Sequence, residues 1–107
     1  MPYKEPLYEC PEFSLFVELV DVGPAWAPFI HMDVRKFNKS VLKNIRKVYR
    51  AALKNFGRLY ILEDAEEAPL NFKFIPLATG MKPGLRVHTR KKTHKPLVIW
   101  SESWAEA

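Results

Sequence analysis

Phe29-Ile30-His31-Met32-Asp33-Val34-Arg35-Lys36-Phe37-Asn38-Lys39-Ser40-Val41-Leu42-Lys43-Asn44-Ile45-Arg46 is the stretch on which the fold turns. Phe29 to Val34 is a short, mostly apolar segment that reads as a strand. After it the period changes. Val41, Leu42, Ile45, Val48, Tyr49, Ala52, Leu53 and Phe56 recur at intervals of three and four, which predicts one apolar face of a helix over Lys39–Phe56. Asn38 suits the N-cap of that helix and Gly57 its C′ position. The other face carries Lys39, Lys43, Arg46, Lys47, Arg50 and Lys54, with no carboxylate among them. A strand that delivers a helix from its end is where many α/β proteins bind phosphate. Here the joining turn, Arg35-Lys36-Phe37-Asn38, contains no glycine.

Working outward, Arg58-Leu59-Tyr60-Ile61-Leu62 is a second short strand, so Phe29–Leu62 forms a strand–helix–strand unit with a parallel pair. Upstream, Phe13–Val22 is another strand, followed by a proline-stiffened loop, Gly23–Pro28. Residues 1–12 read as an extended Pro-rich arm. Downstream, Leu70–Thr79 reads as a short helix interrupted by Pro76 and closed by Gly80. Leu85–Trp100 reads as a hairpin with the polar tip Arg90-Lys91-Lys92-Thr93-His94-Lys95. Ser101–Ala107 is expected to fray unless Trp104 anchors it. The expectation is an α/β (α+β) chain: an arm over 1–12, then one small domain over 13–104, with a mixed twisted sheet, one long helix and one short helix.

The chain has 107 residues, enough for one core. Hydrophobic residues make up 48%, which argues for folding and against disorder. No apolar run approaches the ~20 residues that cross a bilayer, and no basic-then-apolar leader opens the chain, so neither a membrane partner nor a signal peptide is expected. Cys10 is the single cysteine, which excludes an internal disulfide and a multi-cysteine zinc site and suits a spectator thiol. Net charge is +5, in alternating blocks. Residues before Val22 are acidic, 35–58 basic, 63–67 acidic and 86–95 basic. Alternation of this kind suits docking on another protein or self-assembly.

The order of elements resembles the C-terminal half of the GNAT acyl-CoA N-acyltransferase fold. In that family a central strand leads into a cofactor-binding helix. A second strand then splays away, a helix ends in a Gly-hydrophobic pair, and two strands finish the sheet. The matching pieces are Phe29–Val34, Lys39–Phe56, Leu59–Leu62 and Asn71–Pro83, the last with its Gly80-Met81 pair and Pro83. The likeness is strongest to small GNAT-like proteins of tailed bacteriophages, which implies a phage virion or the cytoplasm of an infected bacterial host as its setting. Two family features are missing. The Gly-rich pyrophosphate turn is replaced by Arg35–Ser40, where Phe37 would obstruct a close backbone approach. Where the family's acid tyrosine is expected, four residues before Gly80, stands Pro76. The segment before the central strand is also shorter than in active members. The resemblance therefore implies a scaffold that binds and does not catalyse, with no cofactor and no metal.

Were acetyl-CoA bound after all, Arg35, Lys36, Asn38, Lys39 and Ser40 would hold its pyrophosphate. Tyr60 or His31 would then serve as acid or base. Tyr49 is the other nearby tyrosine. His31 and Asp33 alternate onto one side of a strand, as a base and its orienting carboxylate would. Glu63, Asp64, Glu66 and Glu67 read as a solvated acidic loop lacking the spacing of a calcium site. His88 and His94 lack the further ligands zinc needs. The basic helix face (Lys43, Arg46, Lys47, Arg50 and Lys54) and the hairpin cations Arg90, Lys91 and Lys92 are the partner-binding candidates. Another protein is the expected partner. Nucleic acid is the alternative, with Trp100 and Trp104 as neighbouring aromatics.

Overall fold

The computed structural model of the chain describes residues 4–21, 26–64, 74–88 and 96–106. Its strands are β1 (Lys4–Glu9), β2 (Phe13–Asp21), β3 (Trp26–Val34), β4 (Arg58–Asp64), β5 (Lys82–His88) and β6 (Pro96–Ser103). Helix α1 spans Lys39–Phe56, residues 74–78 are helical, and Trp104–Glu106 form a 3-10 turn. The result is one small mixed α+β domain.

Helix α1 runs between the residues its sequence marks. Asn38 is extended, and its side chain accepts a hydrogen bond from the Val41 amide at 2.9 Å. Gly57 ends the helix at φ +83°, a left-handed conformation that glycine adopts without strain, and its N–H reaches the Leu53 carbonyl. Val41, Ile45, Tyr49, Ala52 and Leu53 are buried. Removing a side chain such as Leu53 from water contributes about 1.5–3 kcal/mol, so this face provides most of the reason the helix persists.

The strand order is β1-β2-β3-β4-β6-β5. Strands β2 and β3 pair antiparallel along their whole length, from Phe13↔Val34 to Asp21↔Trp26. The expected parallel pair is present between β3 and β4, with α1 as the crossover, but its register is a single pair, Phe29↔Tyr60. Beyond that pair the strands diverge. Strand β6 inserts between β4 and β5, antiparallel to both. One core cluster joins Leu15, Val17 and Ile30 to Tyr49 and Leu53 of α1 and to Leu59, Ile75, Met81, Val98 and Trp100. A smaller cluster holds Phe13, Val41, Ile45 and Ala78. Helix α1 and residues 74–78 thus pack on the same face of the sheet.

Several boundaries differ from the sequence reading. Much of the 1–12 arm is built into the sheet, since β1 pairs antiparallel with β2 from Lys4↔Glu18 to Glu9↔Ser14. Strand β3 begins at Trp26, because pairing with β2 carries it through Pro28. Strand β5 begins at Lys82, with a register shift between Pro83 and Arg86. Residues 101–106 do not fray: β6 runs to Ser103, and Trp104 is the anchor, its amide donating to the Gly57 carbonyl at 2.8 Å. The hairpin tip, with Arg90, Lys91, Lys92 and His94, lies outside the described residues, as do Gly23, Glu66, Glu67 and the first half of the predicted 70–79 helix.

Candidate functional site: a cleft between diverging strands

Where β3 and β4 separate, a cleft of about 470 Å³ opens. Ile30, His31, Met32 and Val34 line one wall, Ile61, Leu62 and Glu63 the other, and Phe74, Ile75 and Thr79 close one side. It lies at the carboxyl ends of two parallel strands, which is where open α/β sheets present ligand sites.

Glu63 is the chief departure from the sequence reading. It belongs to β4, not to a solvated acidic loop, and is 4% exposed. Strand alternation explains this: Leu59, Ile61 and Glu63 share the face that packs on α1. The Trp100 indole N–H donates to Glu63 Oε2 at 2.9 Å, and Trp100 is itself buried. Trp100 is therefore a core residue and offers no surface for stacking. The period-two spacing from Leu59 was the signal that could have placed Glu63 in the cleft; its acidic neighbours in sequence concealed it.

His31 and Asp33 share a face, as expected, but do not form a pair. His31 Nε2 lies 3.0 Å from Glu18 Oε1 on β2, while Asp33 Oδ2 accepts from Arg35 Nη1 at 2.9 Å. Tyr60 stacks on Phe29 with ring centroids 5.3 Å apart. Tyr49 is 1% exposed, and its hydroxyl donates to Glu102 Oε1 at 2.6 Å. Burial, then the Glu102 hydrogen bond and charge, hold its phenol well above the usual tyrosine range. Tyr49 is accordingly a fixed donor within the core. Glu102 Oε1 also accepts from the Gly80 amide, and a Cβ at Gly80 would collide with that carboxylate. The glycine thus lets the turn close on β6.

The turn that precedes α1 is occupied by its own side chains. The Arg35 guanidinium donates to the Cys10 and Pro11 carbonyls, to Ser14 Oγ and to Asp33, so it bolts the β1–β2 connection to the end of β3. Phe37, half exposed, meets the ring of the cleft-lining Phe74 edge-on at 5.8 Å. Lys36, Asn38, Ser40 and Asn44 line a separate, smaller depression with Glu12. Lys39 is exposed on the first turn of α1. Of the five residues that would hold a pyrophosphate, all exposed, Arg35 is engaged by four protein acceptors, Lys36, Asn38 and Ser40 share one depression with the Asn38 side chain capping the helix, and Lys39 is not among the residues lining it.

Cys10 is partly buried, with its Sγ 3.4 Å from the Phe13 carbonyl. Among the described residues no group of three His, Cys, Asp or Glu side chains is placed to hold a metal ion, and no helix is long and apolar enough to cross a membrane. No family model, curated protein or solved structure matches the chain.

Proposed function

We propose that this chain is a binding protein built on an acyltransferase-like scaffold, and that its cleft does not carry out acyl transfer. Three features support the scaffold half of the reading. They are the β3–α1–β4 unit, the divergence of β3 from β4 beyond Phe29↔Tyr60, and the closing pair β5–β6 after Gly80. A shared scaffold does not carry a shared reaction. The observation that carries the non-catalytic half is the Phe37–Phe74 contact. It fixes a bulky aromatic side chain in the turn from which a phosphate cradle of bare backbone amides would be built, while the neighbouring Arg35 already serves four internal acceptors. The partner on this reading is another protein, of a phage or its bacterial host, met through the charged surface. Titration calorimetry with acetyl-CoA tests the cleft. No binding heat at millimolar cofactor is the expected result, and saturable micromolar binding would overturn the reading.

A second reading, an acetyl-CoA-dependent N-acetyltransferase, is favoured by the buried Glu63 carboxylate on the cleft wall. Such a group is suited to take a proton from an acceptor amine. On this reading Glu63→Gln would abolish amine acetylation while leaving cofactor binding intact. Equal rates for the two proteins would remove it.

A further inference from the structure

We propose that the outer face of α1 is a binding surface for single-stranded nucleic acid. On this one face it replaces the protein partner of the reading above with a nucleic acid, and it holds whether or not the cleft takes acyl-CoA.

Lys39, Lys43, Arg46, Lys47, Arg50 and Lys54 are all exposed. At 100° per residue they fall within an arc of roughly 100°, about 22 Å long from first to last. Among the described residues none of the six forms an ion pair; the two ion pairs present are His31–Glu18 and Arg35–Asp33. The arrangement works against the helix. Lys39/Lys43, Lys43/Lys47, Arg46/Arg50 and Arg50/Lys54 are like charges four apart, which repel. Lys39 also stands at the positive end of the helix dipole, with no acidic residue in the first turn. A polyanion laid along the arc would reverse every one of these terms.

The choice between a nucleic acid and an acidic protein rests on what else the arc carries. A protein interface needs a buried apolar or aromatic centre within its rim. This arc has cations at its centre; the groove on its flank toward β1 carries Asn44, Ala51 and Asn55 beside the apolar Leu7, Val48 and Phe56 and the exposed ring of Tyr8. Phosphodiester backbones need only such cations, spaced about 6 Å apart by the four-residue repeat, with hydroxyl and amide groups beside them. At the C-terminal end of the arc stands Trp104, 38% exposed, with the Arg50 guanidinium 5.3 Å from its ring centroid. An exposed indole at the end of a cation row is a stacking platform for an unpaired base. A duplex would not present one.

Fluorescence anisotropy with a labelled oligo(dT) of about 12 nucleotides tests this, with poly-glutamate as competitor. Binding at low salt is expected. The logarithm of the affinity should fall linearly with log salt, with a slope near −3.5 at about 0.7 for each of the five cations other than Arg46, whose Nε donates to the Leu77 carbonyl at 2.6 Å. Lys43→Gln and Lys47→Gln should each make that slope shallower by roughly 0.7, with unchanged circular dichroism. Trp104→Ala should lower affinity for the oligonucleotide at least fivefold and leave poly-glutamate binding unchanged. Absence of binding at low salt would overturn the proposal, as would indifference to both lysine variants. Equal competition by poly-glutamate together with no effect of Trp104→Ala would replace the nucleic acid with an acidic protein.

Discussion

Phe37 and Phe74 pack edge-to-face, 5.8 Å between ring centroids, and so tie the turn before α1 to the wall of the β3–β4 cleft. Phe37 is not in the core, yet it sets what the turn can do. Replacing it with alanine removes the aromatic pair, worth about 1 kcal/mol beyond burial. Phe37→Ala is expected to lower the unfolding free energy by that amount, read as a lower urea midpoint at an unchanged slope. No loss would mean that the contact contributes nothing to the folded state.

Arg35 is expected to behave as a structural bolt. Its four acceptors lie on the β1–β2 connection, on β2 and on β3. Lysine keeps the charge but not the planar fork that reaches several acceptors at once. Arg35→Lys should therefore cost nearly as much as Arg35→Ala, about 1 kcal/mol in this exposed setting. Full rescue by lysine in a denaturation series would show that charge alone matters.

Glu63 and Trp100 form a buried pair, and the two substitutions at Glu63 should differ. Alanine leaves the indole N–H without this acceptor and should cost about 1–3 kcal/mol or more. Glutamine retains a carbonyl oxygen and should cost less. Thermal unfolding of the two variants side by side checks the order, and a reversed order would remove the hydrogen bond from the account.

Tyr49 makes stability depend on alkaline pH. Its folded pKa is raised above the unfolded value of about 10, by burial first and by Glu102 second. Below pH 10 both states keep the phenolic proton. Above it the unfolded chain releases a proton that the folded chain retains, so stability falls as pH rises. Between about pH 10 and 11.5 the native protein should lose stability more steeply than Tyr49→Phe. That variant should itself be less stable at pH 7 by about 1–2 kcal/mol, through loss of the bond to Glu102. Parallel pH profiles for the two proteins would count against the assignment.

Local order was legible in the residues. The period of 3.6 from Val41 to Phe56, Asn38 as acceptor for the first turn and Gly57 at positive φ marked α1 to the residue. Each depends on contacts within one helical turn, so the local sequence suffices. The strand–helix–strand unit followed, because a parallel pair needs a crossover of that length. Much of the candidate site was less legible. Arg35 reads as a phosphate ligand until three of its four acceptors, on Cys10, Pro11 and Ser14, are seen to come from residues 21 or more positions away. Glu63 reads as a solvent-exposed acid until β6 brings Trp100 beside it.

By itself the sequence determined the helix, its caps, its basic outer face and the absence of glycine from the turn before it. These are properties of neighbouring residues and of their spacing. Tertiary structure alone decided that β1 joins the sheet, that β6 lies between β4 and β5, and that β3 and β4 part after Phe29↔Tyr60 to open a cleft. Strand pairing joins residues that are distant in the chain, and many registers satisfy the same apolar alternation. The choice among them is made by which set of side chains packs most completely around Leu15, Tyr49, Leu53, Leu59 and Trp100.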